Sequence, residues 1–406
     1  MANVPRLRFK EFKQEWQVKR LNNFARKITE KNVDFKVTNV ISNSAQYGLI
    51  SQRDYFDKDI ANVENIDNYY IIREGDFVYN PRISKESPYG PVNIYKQSDL
   101  GVVSPLYLCF RVSGISNDFL AYFFKTNFWH RHIYMFGDSG ARHDRVSIKD
   151  SDFFRLPIYL PSLEEQLKIA SFFILLDQKI EKQKEKIEQL EKFQKGMMQK
   201  IFSREIRFKD DNGQEFPKWE LKPLSELGQF RRGGTLSKSD LSENGEPCIL
   251  YGELYTRYSP VIEEVYSKAQ VTNNNKVYGY INDVLIPSSG ETAIDISKAC
   301  ALMVDKVLLG GDMNVFTPKK HVSGPFLSYQ INSIKRIEVA KLAQGASVIH
   351  LYSENLKNLK VWLPTYKEQL KIATVLNLLS KKVDLEKKKL DLYNDLKKSY
   401  LQQMFV

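Results

Sequence analysis

The sequence predicts an α+β protein: two tandem α/β domains in an internal repeat with pseudo-twofold symmetry, each followed by a long α-helix, the two helices pairing as an antiparallel coiled coil. Three observations predict it. The stretch 160–173 returns at 363–376, with Glu165 to Ala170 identical to Glu368 to Ala373 at an offset of 203 residues. Each copy opens a segment whose apolar residues recur every four and then three residues. At 406 residues the chain is too long for a single compact core, and 42% hydrophobic with 12% aromatic content is enough for two.

The elements follow in order. The first domain covers 1–161, the central helix 162–205, the second domain 206–364 and the C-terminal helix 365–406. The repeat runs through the domains as well. Trp16 and Leu21 return as Trp219 and Leu224, and Arg8-Phe9-Lys10 is echoed by Arg207-Phe208-Lys209. Within the first domain, Ile71 and Ile72, then Phe77 to Tyr79, read as strands around the turn Glu74-Gly75-Asp76. Val102 and Val103 and the run Leu106 to Val112 read as extended, and Asn117 to Lys125 as a helix capped by Asn117. In the second domain Asn282-Asp283-Val284-Leu285 matches Gly75-Asp76-Phe77-Val78, and Phe326 to Ile331 matches the helix. Elsewhere the two domains share little.

The helical segments carry a heptad seam. In the first it runs Ile169, Phe173, Leu176, Ile180, Gln183, Ile187, Leu190, Gln194, Met197, Ile201. Adding 203 gives Ile372, Leu376, Leu379, Val383, Glu386, Leu390, Tyr393, Lys397, Tyr400, Met404. The two polar breaks fall at the same places in both, which a merely solvated charged helix would not reproduce. Pro161 with Ser162, and Pro364 with Thr365, mark the starts, and Glu165 and Glu368 three residues past the caps predict capping boxes. Each helix is then a rod of about 60 Å. Paired antiparallel, the two would place a globular domain at each end of a spacer.

The net charge of +11 and a pI near 9.2 point toward a polyanionic partner. The charge is uneven: residues 1–161 hold 23 Lys and Arg against 18 Asp and Glu, residues 206–364 only 19 against 18. The second domain alone is a weak polyanion binder, so partners are expected to help clamp the ligand. Several loops carry the residue types that nucleic-acid contacts need, since Arg reads guanine, Asn and Gln read adenine, and Lys holds phosphate. In the first domain these are Asn80, Arg82, Ser84 and Lys85, and the turn with Arg142, His143 and Arg145. In the second they are Arg231, Arg232 and Thr235, then Tyr255, Arg257 and Tyr258, and Ser288 and Ser289, which stand where the Asn80 loop stands in the first.

Motifs for chemistry are missing. No Gly-Lys dipeptide permits a Walker A loop, no Gly-x-Gly-x-x-Gly occurs, and no Pro-Pro permits the signature of adenine N6-methyltransferases. Of the five histidines only His130 and His132 lie close together, with no ligand spacing around them, and Cys109, Cys248 and Cys300 form no Cys-x-x-Cys pair. The expectation is no catalytic residue, no metal and no cofactor in this chain. The start, Met1 to Arg6, has no apolar signal core, and the longest apolar run, Ile169 to Leu176, is too short for a membrane, so a cytoplasmic protein is expected.

On these motifs the chain resembles the specificity subunits of type I restriction–modification systems (HsdS). The doubled Leu-Pro-x-x-x-Glu-Gln-x-x-Ile-Ala at Leu160 to Ala170 and Leu363 to Ala373 carries the resemblance furthest. Gly233 to Ser237, followed by Gly245 to Ile249, is similar to the family's Gly-x-Thr-Pro-Ser…Gly-x-Ile-Pro pattern, with Leu236 in place of Pro. Tyr47 to Ile50 and Gly75 to Pro81 resemble another recurring form. The resemblance implies two target-recognition domains, each reading one half of a bipartite double-stranded DNA target, and helices that set the spacer. It further implies two methyltransferase subunits on the helices, supplying S-adenosylmethionine, and restriction subunits supplying ATP- and Mg-dependent translocation and cleavage. A coiled-coil scaffold or adaptor without a DNA role, and a specificity subunit serving a type II-style fused methyltransferase–nuclease, stay open at this point.

Overall fold

A computed structural model describes residues 4–52, 66–139, 144–271, 276–345 and 347–406. The chain forms two compact units, Met1–Lys182 with Leu390–Val406, and Gln183–Lys389. Each unit contains one globular domain and part of each long helix.

The core of the first unit is an antiparallel sheet in the order Ala25–Lys27, Leu108–Val112, Phe77–Tyr79, Val92–Ile94. The second unit repeats it with Gly228–Arg232, Met313–Pro318, Val284–Pro287 and Cys300–Leu302, and adds Val261–Ile262 in parallel at the edge. The register is the same: Phe77 stands between Phe110 and Ile94, and Val284 between Phe316 and Ala301. These strands are apolar on both faces because helices and a further layer cover them, and Phe77, Phe110, Val284 and Phe316 are all buried. The turn that leads into the central strand is duplicated too. Gly75 and Asn282 both take positive φ, 87° and 81°. Glycine does so freely; Asn282 is held there by its side chain, which donates to Val322 O at 3.0 Å and accepts from Gly324 N at 2.6 Å.

Two details differ from the sequence reading. Leu106 lies in a turn, and the strand begins at Leu108. The helix Asn117–Phe123 is capped by Ser116, whose hydroxyl accepts from Phe119 N, while Asn117 donates to Gly75 O and ties the helix to the turn. Its counterpart Gly324–Asn332 is capped by Ser323 in the same way.

A two-stranded ribbon closes each domain and launches its helix: Gln17 pairs with Leu160, and Glu220 with Leu363, again 203 residues apart. The long helices are Leu163–Phe202 and Tyr366–Gln403. The seam residues Ile169, Phe173, Leu176, Ile180, Ile187, Leu190, Met197 and Ile201 are buried or half-buried, as are Ile372, Leu376, Leu379, Val383, Leu390, Tyr393, Tyr400 and Met404. In the first unit Phe172 meets Tyr400 and Asp177 meets Lys397; in the second Gln183 meets Glu386 and Gln194 meets Ser380. As one number rises the other falls, so the pairing is antiparallel.

The identical Glu-Gln pair explains itself in this setting. Glu165 is buried and forked by Arg8 at 2.7 and 2.8 Å, and Glu368 by Arg207 at 3.2 and 2.8 Å. Gln166 bridges Pro161 O and Ser116 N, and Gln369 bridges Pro364 O and Ser323 N. The predicted capping boxes are therefore half formed. Ser162 and Thr365 accept from the backbone N–H three residues on, but the glutamates turn away to the arginines. A buried carboxylate needs a full charge partner, which a backbone N–H does not supply.

Candidate nucleic-acid interface

The loop that follows the central strand of each domain is zipped to the segment preceding the last short helix. In the first domain Arg82 stands opposite Arg145 in an isolated antiparallel bridge, with Val146 N–H donating to Pro81 O at 2.9 Å. In the second Ser289 stands opposite His350, with Leu351 N–H donating to Ser288 O at 2.9 Å. Beside each zipper opens a cleft. The first, of 270 Å³, is lined by Lys27, Tyr70, Pro81, Tyr107, Ser147 and Asp150 among others. The second, of 840 Å³, is lined by Arg232, Ser288, Gln344, His350, Tyr352 and Asn355 among others. The two occupy the same place in the repeat. Lys27 and Phe230 hold matching positions on the first strand of the sheet, Pro81 and Ser288 on the loop, Val146 and Leu351 on the returning segment.

The remaining predicted residues fall as follows. Asn80 holds the loop, donating to Asn43 O and accepting from Arg82 N, each at 3.0 Å. Ser84 accepts from Ser87 N in a local turn, and Lys85 is exposed beside it. Arg142 and His143 lie outside the described residues. Thr235 and Tyr255 line another cleft, of 650 Å³, which shares Gly311 and Asp312 with the 840 Å³ cleft. Arg257 is drawn to Glu253 at 3.3 Å and lies over the Tyr266 ring at 4.5 Å. Two predicted contact residues are not free at the surface. Tyr258 is buried at 4% exposure, stacked on Tyr266 with its hydroxyl accepting from Tyr266 N. Ser289 is buried at 5%. Arg231 is held at 2.6 Å to Asp283, itself 2% exposed, and lines the 840 Å³ cleft beside Arg232.

Burial pushes the Tyr107 phenol up, against a backbone hydrogen bond at Asn43 that pulls it down. Sequence reasoning missed Gln344, His350, Tyr352 and Asn355. A signal was present: Gly140-Ala141 and Gly345-Ala346 echo at an offset of 205, directly after Gln344 and ahead of the other three.

The clefts offer hydrogen-bond donors and acceptors but no built reaction centre. Among the described residues no group of three or more His, Cys, Asp or Glu could hold a metal ion. All three cysteines are buried, and burial pushes the Cys300 and Cys109 thiols up to about 12, far from a reactive thiolate. Among the described residues no helix is long and apolar enough to cross a membrane.

Comparison with known proteins agrees with this doubled arrangement. Residues 13–192 and 217–392 each match the family described as the type I restriction modification DNA specificity domain. The MjaX specificity subunit of Methanocaldococcus jannaschii is 24% identical over 98% of this chain and 95% of its own length. The MjaVIII specificity subunit of the same organism is 26% identical over 61% of each chain, so the match spans about three-fifths of that relative. In fold, the chain is similar to the type I restriction–modification S subunit from M. genitalium, with a TM-score of 0.59 at 15% identity and 99% of both chains covered. With two copies of its domain matched across most of the sequence, the chain belongs to the type I restriction–modification DNA specificity family, as a non-catalytic specificity subunit.

Proposed function

We propose that this chain reads a bipartite double-stranded DNA target, one half-site with each globular domain, and that its paired helices fix the spacer between half-sites. The observation that carries the reading is the cleft built twice at repeat-equivalent positions and lined differently each time. A common scaffold with unlike linings is what two readers of unlike sequences require, because hydrogen bonds to base edges, not the scaffold, specify sequence. Arg82, Lys85 and Arg145, with Arg142 and His143, serve the first half-site; Arg232, Thr235, Tyr255 and Ser288 serve the second.

Two methyltransferase subunits dock along the helices, and restriction subunits join them. The exposed apolar residues Leu163, Leu167 and Leu175 support this docking. They return, exposed, as Tyr366, Leu370 and Leu378, each 203 residues on. A face presented twice fits two copies of one partner. The partners supply S-adenosylmethionine for methylation, and ATP and Mg for translocation and cleavage; this chain supplies the address. The working place is the cytoplasm, where the DNA is.

The test is to map N6-methyladenine across the genome of a host carrying the methyltransferase partner, with and without this gene. A split motif methylated only with the gene present is expected. No gene-dependent methylation, with the partner active beside another specificity subunit, would favour a coiled-coil scaffold instead.

A further inference from the structure

Arg82 and Arg145 come from loops some sixty residues apart in sequence and end directly across from each other. Ile83 N–H donates to Asp144 O at 2.8 Å and Val146 N–H to Pro81 O at 2.9 Å, so the opposition is fixed by backbone bonds on both sides. Like charges directly opposite on paired strands destabilise the pair. Little offsets this within the protein. The nearest carboxylate to Arg145 is that of its neighbour Asp144, 4.0 Å from Nε, and Arg82 makes no ion pair among the described residues. Both arginines are exposed, and their sequence neighbours Pro81 and Val146 line the adjoining cleft. Two exposed arginines paired across a bridge beside a cleft are unfavourable in the free protein and favourable once an acceptor-rich ligand lies against them.

The second domain provides an internal comparison. The same bridge is made by Ser289 and His350, the hydroxyl buried and the imidazole at the cleft. His350 is clasped by Gln344 through two backbone hydrogen bonds of 2.8 and 2.7 Å, and both side chains line the cleft. The backbone at this position is kept and the chemistry is exchanged, from paired cations to an imidazole and an amide.

We infer that the position held by Arg145 in the first domain and His350 in the second is where the two domains are tuned to different bases, and that Arg82 and Arg145 together recognise a guanine in the first half-site. The inference rests on the DNA-reading function proposed above. Guanine presents two acceptors, O6 and N7, on its major-groove edge, and a guanidinium fork satisfies both at once. The second guanidinium then takes the adjacent phosphate, which cancels the repulsion between the two. The second cleft has no paired cations at this position, so its half-site is not read in this way.

The experiment uses the full chain with its methyltransferase partner and maps N6-methyladenine for wild type, Arg82→Lys, Arg145→Lys, Arg145→Gln and His350→Ala. Lysine keeps the charge but loses the fork. The wild type should methylate a split motif with an obligatory guanine in one half-site. At least one lysine variant should lower the preference for that guanine by about ten- to a hundredfold, with the other half-site and the spacer unchanged. Arg145→Gln should shift the preference at that base toward adenine, and His350→Ala should relax a base in the other half-site alone. A motif unaltered in all the arginine variants overturns the inference. So does an even loss of methylation without any change of motif, which would mark phosphate contacts only. A wild-type chain that directs no split motif overturns instead the function on which the inference stands.

Discussion

Asp76 and Asp283 hold the same place in the repeat, both almost fully buried, yet each found its cation on a different strand. Arg111, on the strand Leu108–Val112, forks Asp76 at 2.6 and 2.9 Å. Asp283 takes Arg231 from the strand Gly228–Arg232 at 2.6 Å, and Thr317 donates to its other oxygen at 2.6 Å from the place where Arg111 would stand. A buried carboxylate must be neutralised, but the fold leaves open from which side. Removing Arg111 leaves Asp76 with the Arg73 N–H alone, so Arg111→Ala should cost about 3–5 kcal/mol. Arg231→Ala should cost less, because Thr317 and Tyr280 N–H still donate to Asp283. Urea unfolding of the two variants checks the order; equal losses would mean that Thr317 does not share the load. Sequence alone could not have separated Arg231 from Arg232. Neighbours on a strand point to opposite faces, and only the sheet tells which face meets Asp283.

The long helices were the most legible elements, because a heptad pattern with matched defects allows few alternatives. The partners of those defects were not legible, since they depend on register. Gln194 donates to Ser380 at 2.7 Å, and the repeat-related Lys397 pairs with Asp177. The domain helices join in: Tyr329 donates to Ser380 at 3.2 Å and Tyr122 to Asp177 at 2.8 Å. Each of these two nodes thus also seats a domain helix. At the remaining break Gln183 donates to Glu386 at 2.7 Å, and Lys186 and Lys389 approach the same carboxylate. The hydrogen bonds from Gln183 and Lys186 hold Glu386 down to about 2. A carboxylate whose folded value is depressed contributes stability above its ordinary value near 4.5 and loses it as pH falls toward about 2. Circular dichroism across that acid range should show the wild-type helices loosening more steeply than those of Glu386→Gln. Parallel curves for the two proteins would refute a stabilising role for the charge.

At the scale of the whole molecule the repeat itself is the design, and it was readable because anchors such as Arg8, Glu165 and Gln166 do the same job twice. The clefts were less readable because their scaffold is shared while their linings are not: Ser147 and Asp150 in one give way to Tyr352 and Asn355 in the other. If the helices set the DNA spacer, lengthening them should lengthen it. The contact of Gln183 with Glu386 shows that one insertion cannot suffice, since it would leave an unpaired heptad opposite. Inserting one heptad after Gln183 together with another after Glu386 should extend the spacer of the methylated motif and leave both half-sites intact; an altered half-site with the old spacer would refute it. That contact has a historical side as well, for 183 and 386 are the same position in the two copies, facing itself. In an assembly of identical chains such a position would set glutamate against glutamate or glutamine against glutamine, and only the second can be buried without a penalty of like charges. Joining the copies in one polypeptide removes that restriction. The first copy can keep the amide while the second gains the acid, and a mismatch forbidden to identical chains becomes a lock between unlike ones.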